Sequence, residues 1–157
     1  MKKLINPFKQ FEGYQCFACD PDNQHGLQME FYEDGDYLVS EWEPKPHLQG
    51  YFNVLHGGIQ TTLLDEIASW IVYVKAKTGG VTANIDIKFK KPVYVNKGKL
   101  TIRGKLKNLD KKFAFIQGEL LDHEGNLCAQ ADIKYYIFPK DVAREKYYYP
   151  GDQAFYQ

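Results

Sequence analysis

The sequence predicts an α+β domain in which a curved antiparallel sheet wraps around one long central helix. Three observations carry this. The stretch 58–77 is apolar on nearly every helical face, with Ile59, Leu63, Ile67 and Ile71 spaced four apart, and Leu64, Ala68 and Val72 likewise. The other patterned stretches, two before it and four after it, alternate with period two, as strands do. A lone helix without a broad polar face has to be enclosed, and a sheet wrapped about it does that.

Residues 1–26 read as irregular, punctuated by Pro7, Gly13, Pro21 and Gly26. Leu27–Glu33 and Asp36–Glu43 alternate as two strands joined by an Asp34-Gly35 turn, with Leu27, Met29 and Phe31 on one face. Pro44, Pro46 and Gly50 mark a loop over 44–57, and the helix stops at Gly79-Gly80. Val81–Lys90 places Val81, Ala83, Ile85, Ile87 and Phe89 on one face, with Thr82, Asn84, Asp86, Lys88 and Lys90 on the other. Lys99–Lys107 turns Leu100, Ile102 and Leu106 inward. Lys112–Leu121 follows, and Leu127–Phe138 aligns Ala129, Ala131, Ile133, Tyr135 and Ile137. The layout divides into an irregular segment 1–26, a sheet-and-helix domain 27–138 and an aromatic-rich tail 139–157, which composition alone does not place.

At 157 residues the chain is long enough for one sizeable core. A formal net charge of zero argues against a dedicated nucleic-acid binder. No run approaches the roughly 18 apolar residues of a membrane span, and the first residues lack the apolar core of a signal peptide. Three cysteines make no disulfide framework, which favours a cytoplasmic location. Cys16 and Cys19 have half of a zinc-site spacing, with His25 as a potential third ligand. No second cysteine pair follows, so the segment reads more simply as a turn with small buried thiols.

The chemistry-bearing stretch is His56-Gly57-Gly58 running into the helix. Asp65, flanked at i−4 and i+4 by Thr61 and Ser69, puts a narrow polar stripe on an otherwise apolar rod. A carboxylate in such surroundings needs partners or lines a site. Glycines at the helix entrance let a ligand approach unpaired N–H groups carrying partial positive charge. Glu66 falls on a neighbouring face and reads as solvent- or partner-facing. No Gly-x-Ser-x-Gly element and no phosphate-cradling glycine loop is present.

His56-Gly57-Gly58 with Asp65 nine positions after the histidine, Thr82–Pro92 after the helix, and the Cys16–Leu27 turn together resemble the PaaI-like (phenylacetate-type) hotdog-fold acyl-CoA thioesterases over about 16–138. The strand and helix order is also that of a hotdog fold. The resemblance implies hydrolysis of small to medium acyl-CoA or aryl-acyl-CoA thioesters at the interface of a homodimer, or of a tetramer of dimers. It implies no metal, and no cofactor beyond the coenzyme A of the substrate. It casts Gly57 as the donor to the thioester carbonyl, Asp65 of the other chain as base or nucleophile, and Thr82 and Ser69 as supports of the water. Such a donor is worth about 3–4 kcal/mol of barrier, and a positioned base roughly 10²–10⁴-fold. His56 is the rival base, but its place suggests a ring bonded to the loop backbone. Several members carry Asn or Gln about six residues before the histidine; here Gly50 stands there, with Gln49 and Asn53 as substitutes. Gly58, Lys90 and Lys91 complete the expected substrate contacts. Two rival readings remain: a non-catalytic acyl-CoA binder on the same dimer, and a hotdog hydratase built on Asp20 and His25, whose pair lies two strands too early.

Overall fold

A helix with so little polar surface is buried along its length, and the sheet is shaped to receive it. The computed structural model describes residues 1–156. Its main elements are β1 (Lys2–Lys3), β2 (Tyr32–Asp34), β3 (Tyr37–Trp42), α1 (Gly57–Ile71), β4 (Gly80–Phe89), β5 (Leu100–Leu109), β6 (Phe113–Leu121), β7 (Leu127–Ile137) and α2 (Lys140–Tyr147). The strands form one seven-stranded antiparallel sheet in the order β1-β2-β3-β5-β6-β7-β4. Helix α1 packs against β3 to β7, burying Leu63, Leu64, Ile67, Ala68, Trp70 and Ile71. Each large apolar side chain so buried contributes roughly 1.5–3 kcal/mol. This is the expected hotdog layout.

Two glycines set the depth of the helix. Gly104 on β5 and Gly118 on β6 are cross-strand partners beneath α1. A Cβ at Gly104 would stand 2.9 Å from Ile71 Cδ1, and one at Gly118 would stand 3.2 Å from Leu64 Cδ2. The sheet therefore approaches the rod most closely where it carries no side chains.

Several sequence expectations change. Leu27, Met29 and Phe31 are buried as expected, yet Leu27–Phe31 pairs with no strand. Its Leu27 and Met29 N–H groups donate to Phe17 and Ala18, and Gln28 adopts a left-handed φ of 53° that diverts the chain from the ladder. The helix ends earlier as α-helix, continues as a π turn over Val72–Ala76, and stops at Lys77 in the left-handed conformation, not at the glycine pair. In β4 a bulge lies between Thr82 and Asn84. It shifts the phase, so Thr82 faces α1 while Val81, expected in the core, is 51% exposed.

Both terminal segments contribute to the common core. Leu4, Phe8, Ala18 and Cys19 enter from the N-terminal side; Ala143, Tyr149 and Phe155 enter from the tail. The Phe155 ring, fully buried, stacks on Tyr73 and meets Trp70 edge-on, each at 5.3 Å. Trp70 is a core residue stacked on Phe31 at 4.2 Å. At the other extreme, β4 is a ten-residue strand with one edge unpaired, while the opposite sheet edge is the two-residue β1.

Phe155→Ala removes a buried ring from this aromatic cluster and is expected to cost about 3–5 kcal/mol in urea unfolding. A loss below about 1 kcal/mol would show that the tail does not dock in solution.

Candidate active site

The loop before α1 is built to present the helix entrance. Leu55 N–H donates to Val93, His56 N–H to Leu48, and Gly50 N–H to Val54. His56 takes an extended N-cap conformation, and its Nδ1 accepts the Gly58 N–H at 2.8 Å. The imidazole thus caps the helix through the backbone. Packing explains both flanking glycines. A Cβ at Gly58 would lie 3.0 Å from His56 Nδ1, and one at Gly50 would lie 3.2 Å from His56 Cδ2. The ring occupies the space that a side chain at position 50 would need.

Gly57 differs. A Cβ there would meet only the Phe89 ring, at an ordinary 3.9 Å. Its N–H, at the first helical position, has no acceptor among the described residues. Nothing among the described residues therefore demands glycine at 57, and one bare donor points outward from a helix N-terminus.

Asp65 lies two turns further on. Thr82 Oγ1 donates to its Oδ1 at 2.8 Å, and the Tyr135 hydroxyl donates to the same oxygen at 2.6 Å. Thr82 and Tyr135 are cross-strand partners on β4 and β7, so the bulge that turns Thr82 inward also sets it beside Tyr135. Burial, and then the charge of Asp65, push the Tyr135 phenol up, which keeps it a donor. Oδ2 has no protein partner among the described residues and stays free to accept from a water or substrate. Tyr135 was visible in the sequence only as an inward-facing strand residue. Its signal was the phenol itself, since a buried hydroxyl beside a helix needs an acceptor.

The rest of the predicted site is dispersed. Thr61 donates to the Gly57 carbonyl, so the polar stripe does not close on Asp65. Ser69 bonds neither Asp65 nor Thr82 and instead lines a neighbouring cavity of about 450 Å³ with Tyr14, Tyr73, Val81, Phe138 and Tyr148. Glu66 also lines that cavity, against the expectation that it faces solvent or a partner; burial, and then Cys16, push its carboxyl up to about 8. Gln49 Oε1 accepts the Asn53 N–H, and Asn53 bonds Asn96, so both amides serve the loop and neither reaches Asp65. Lys90 and Lys91 are exposed and follow Phe89, which places them near the Gly57 entrance. Tyr51 and Phe52 are each 84% exposed. Asp20 accepts the Asp22 N–H within its own turn and His25 is exposed, so that pair forms no site.

Gly57 and Asp65 are eight residues apart on one helix, about 12 Å at 1.5 Å per residue. An oxyanion donor and a base must both reach one carbonyl group within about 3 Å. One chain alone cannot bring them together. Both groups nevertheless lie beside β4, Asp65 through Thr82 and Gly57 through Phe89.

Residues 52–129 match the family described as the thioesterase superfamily. A Streptococcus mutans protein solved with bound acetyl CoA is similar to this chain with a TM-score of 0.68 at 16% identity, over 83% of this chain and 98% of the other. A hypothetical thioesterase from Streptococcus pneumoniae, solved with coenzyme A, gives 0.66 at 20% identity over 71% and 90%. Zebrafish thioesterase superfamily member 2 gives 0.66 at 21% identity over 75% and 90%. At these identities the likeness carries the fold. No curated protein sequence matches the chain. No helix among the described residues is long and apolar enough to cross a membrane.

The His56 cap makes a checkable statement about stability. His56→Ala is expected to cost about 1 kcal/mol by chemical denaturation. Gly58→Ala should destabilise the wild type yet be tolerated in the His56→Ala background, because the clash is with the missing ring. Additive costs in the double variant would refute the ring's position.

Proposed function

Residues 52–129 match the thioesterase superfamily, and from that premise we propose that the chain belongs to it and hydrolyses small to medium acyl-CoA or aryl-acyl-CoA thioesters as a cytoplasmic, PaaI-like enzyme. The observation that carries the reading is the pairing of a bare Gly57 N–H with a half-buried Asp65 whose Oδ2 is left open. The Gly57 N–H receives the thioester oxygen as negative charge builds there. Asp65, oriented by Tyr135 and Thr82, takes a proton from water as the water attacks the carbonyl carbon. The C–S bond then breaks, and the coenzyme leaves as a thiolate. A thiolate is a good leaving group, so a strong acid opposite the base is not required. Lys90 and Lys91, beside the entrance, offer charge to the phosphates of the coenzyme.

Two chains are required in this scheme, and β4 supplies the join. Its free edge accepts an antiparallel strand from a second copy. A two-fold pairing centred near Ile85 and Asp86 sets Thr82 of one chain opposite Phe89 of the other. Because Thr82 holds Asp65 and Phe89 covers Gly57, this register brings Asp65 of one subunit toward Gly57 of its partner. The exposure of Phe89 (54%) and Val81 on this strand is accounted for in the same way.

Thiol release from a panel of short, medium, long and aryl acyl-CoAs tests the activity. Asp65→Asn should lose roughly 10²–10⁴-fold in kcat with the fold intact. Coenzyme A binding without turnover by wild type would instead establish a non-catalytic acyl-CoA binder.

Gly57→Pro tests the shared site. Proline is favoured at the first helical position and His56 already has the extended ψ of 132° that a following proline needs, so the variant should fold while lacking the donor. Its kcat should fall about 10²–10³-fold. Mixed and re-equilibrated with Asp65→Asn, it should recover about a quarter of wild-type activity, because each mixed dimer keeps one intact site. No recovery, with mixed dimers shown to form, would place Gly57 and Asp65 in separate sites.

A further inference from the structure

The Cys16–Cys19 turn takes no part in this chemistry, yet it is held against α1 at Glu66. Cys16 Sγ lies 2.8 Å from Cys19 Sγ and 3.6 Å from Glu66 Oε1. The three donor atoms all fall within 4.8 Å of one another. The polar groups beside the sulfurs are able to donate to them. The Cys19 N–H points at Cys16 Sγ at 3.2 Å. The Tyr14 hydroxyl, which accepts from Asn6 Nδ2, lies 3.0 Å from Cys19 Sγ, and the same Asn6 amide reaches that sulfur at 3.8 Å. Among the described residues no Lys, Arg or His pairs with Glu66. Two thiols and a carboxyl thus converge from positions 50 residues apart with donors around them and no cation.

We propose that Cys16, Cys19 and Glu66 bind a thiophilic divalent cation, zinc above all, with a fourth position open to the aromatic cavity. The donor set of two sulfurs and one oxygen is a zinc set. Zinc bonds of about 2.3 Å to sulfur and 2.1 Å to oxygen hold the two ligand atoms about 3.6 Å apart in a tetrahedron, which matches the Cys16–Glu66 separation. The same geometry holds two sulfurs about 3.8 Å apart, so the cysteines must part by about 1 Å. Cys16 has room to do so, because it lines the cavity. The N–H and O–H groups aimed at the sulfurs match the outer hydrogen bonds that metal thiolates receive. A divalent cation also compensates three acidic groups that otherwise face one another in a largely enclosed place. A Cys16–Cys19 disulfide uses the same spacing but gives Glu66 no partner and leaves Tyr14 and Asn6 aimed at a poor acceptor. His25, the third ligand suggested by spacing, is exposed and bonded through its N–H to Asn23; the helix supplies the third ligand instead. With three protein ligands and an open position facing a cavity, the site keeps a place for a water or another small ligand.

The test is metal titration of the reduced, chelator-stripped full chain with Co²⁺, followed by Zn²⁺. One Co²⁺ per chain should bind with a thiolate-to-cobalt charge-transfer band, and Zn²⁺ should displace it. Cys16→Ser should abolish that band or weaken binding more than tenfold, and Glu66→Gln should weaken binding at least tenfold with the band retained. His25→Ala and Cys128→Ser should bind as wild type. Cys16 sits on the cavity wall, so Cys16→Ser should stay folded, as circular dichroism will report. Folded, reduced wild type that binds neither ion overturns the proposal. So does a charge-transfer band that survives Cys16→Ser unweakened, or a Cys16–Cys19 disulfide that forms in air with equimolar Zn²⁺ present.

Discussion

Asp65 sits on a helix that buries mostly apolar side chains on five strands, and the structure depends on making that position tolerable. A carboxylate there is stable only with donors aimed at it. The sheet supplies two, Thr82 and Tyr135, from neighbouring strands and onto one oxygen. Regular alternation along β4 would have sent Thr82 to the outer face. The bulge before Asn84 spends one residue to reverse the phase and turns the hydroxyl inward without disturbing Ile85 and Ile87, which still face the helix. The irregularity in the ladder thus sets the Thr82 hydroxyl on Asp65.

The same close approach of helix and sheet explains the distribution of glycines. Gly104 and Gly118 are bare because Ile71 and Leu64 press on them; Gly50 and Gly58 are bare because the His56 ring presses on them. Gly57 has no such reason among the described residues. A glycine that packing does not require, with its N–H unused at a helix start, is better explained by something that approaches from outside.

The hydrophobic pattern made most of the fold legible. The apolar rod from Ile59 to Val72 and the alternation in β5 and β7 place the core residues correctly, because those strands have one buried face and period two is then a strong signal. What escaped were features set by single backbone events. Gln28 breaks the first expected strand, the bulge swaps Val81 for Thr82, and Lys77 stops the helix; none alters composition. The tail escaped for a different reason. Its aromatics are clustered, but which of them docks depends on the gap that Trp70, Tyr73 and Phe8 leave for Phe155, a shape that sequence does not display. At the site, the His56-Gly57-Gly58 entrance and Asp65 were visible through their positions on the helix. The partners of Asp65 depend on cross-strand register, and Glu66 was read as outward because helical spacing gives a face but not what covers it.

Asp65 and Glu66 show how one helix separates two environments. Consecutive helical residues point about 100° apart. That turn directs Asp65 to the β4–β7 strand pair and Glu66 to the Cys16–Cys19 turn. Asp65 adds to the upward push on the Glu66 carboxyl, but burial and then Cys16 weigh more. Here each has its own partners: hydroxyl donors and an open edge for Asp65, sulfurs and an aromatic cavity for Glu66. Ser69, one turn beyond Asp65, falls on the side of Glu66, which is why it lines the cavity and does not touch the Thr82 network. Tyr148 and Tyr149 from the tail and Tyr14 from the N-terminal segment close that cavity. The chain ends therefore do more than extend the core. They wall off the Glu66 side of α1, while the Asp65 side remains open along β4, where a second strand can add.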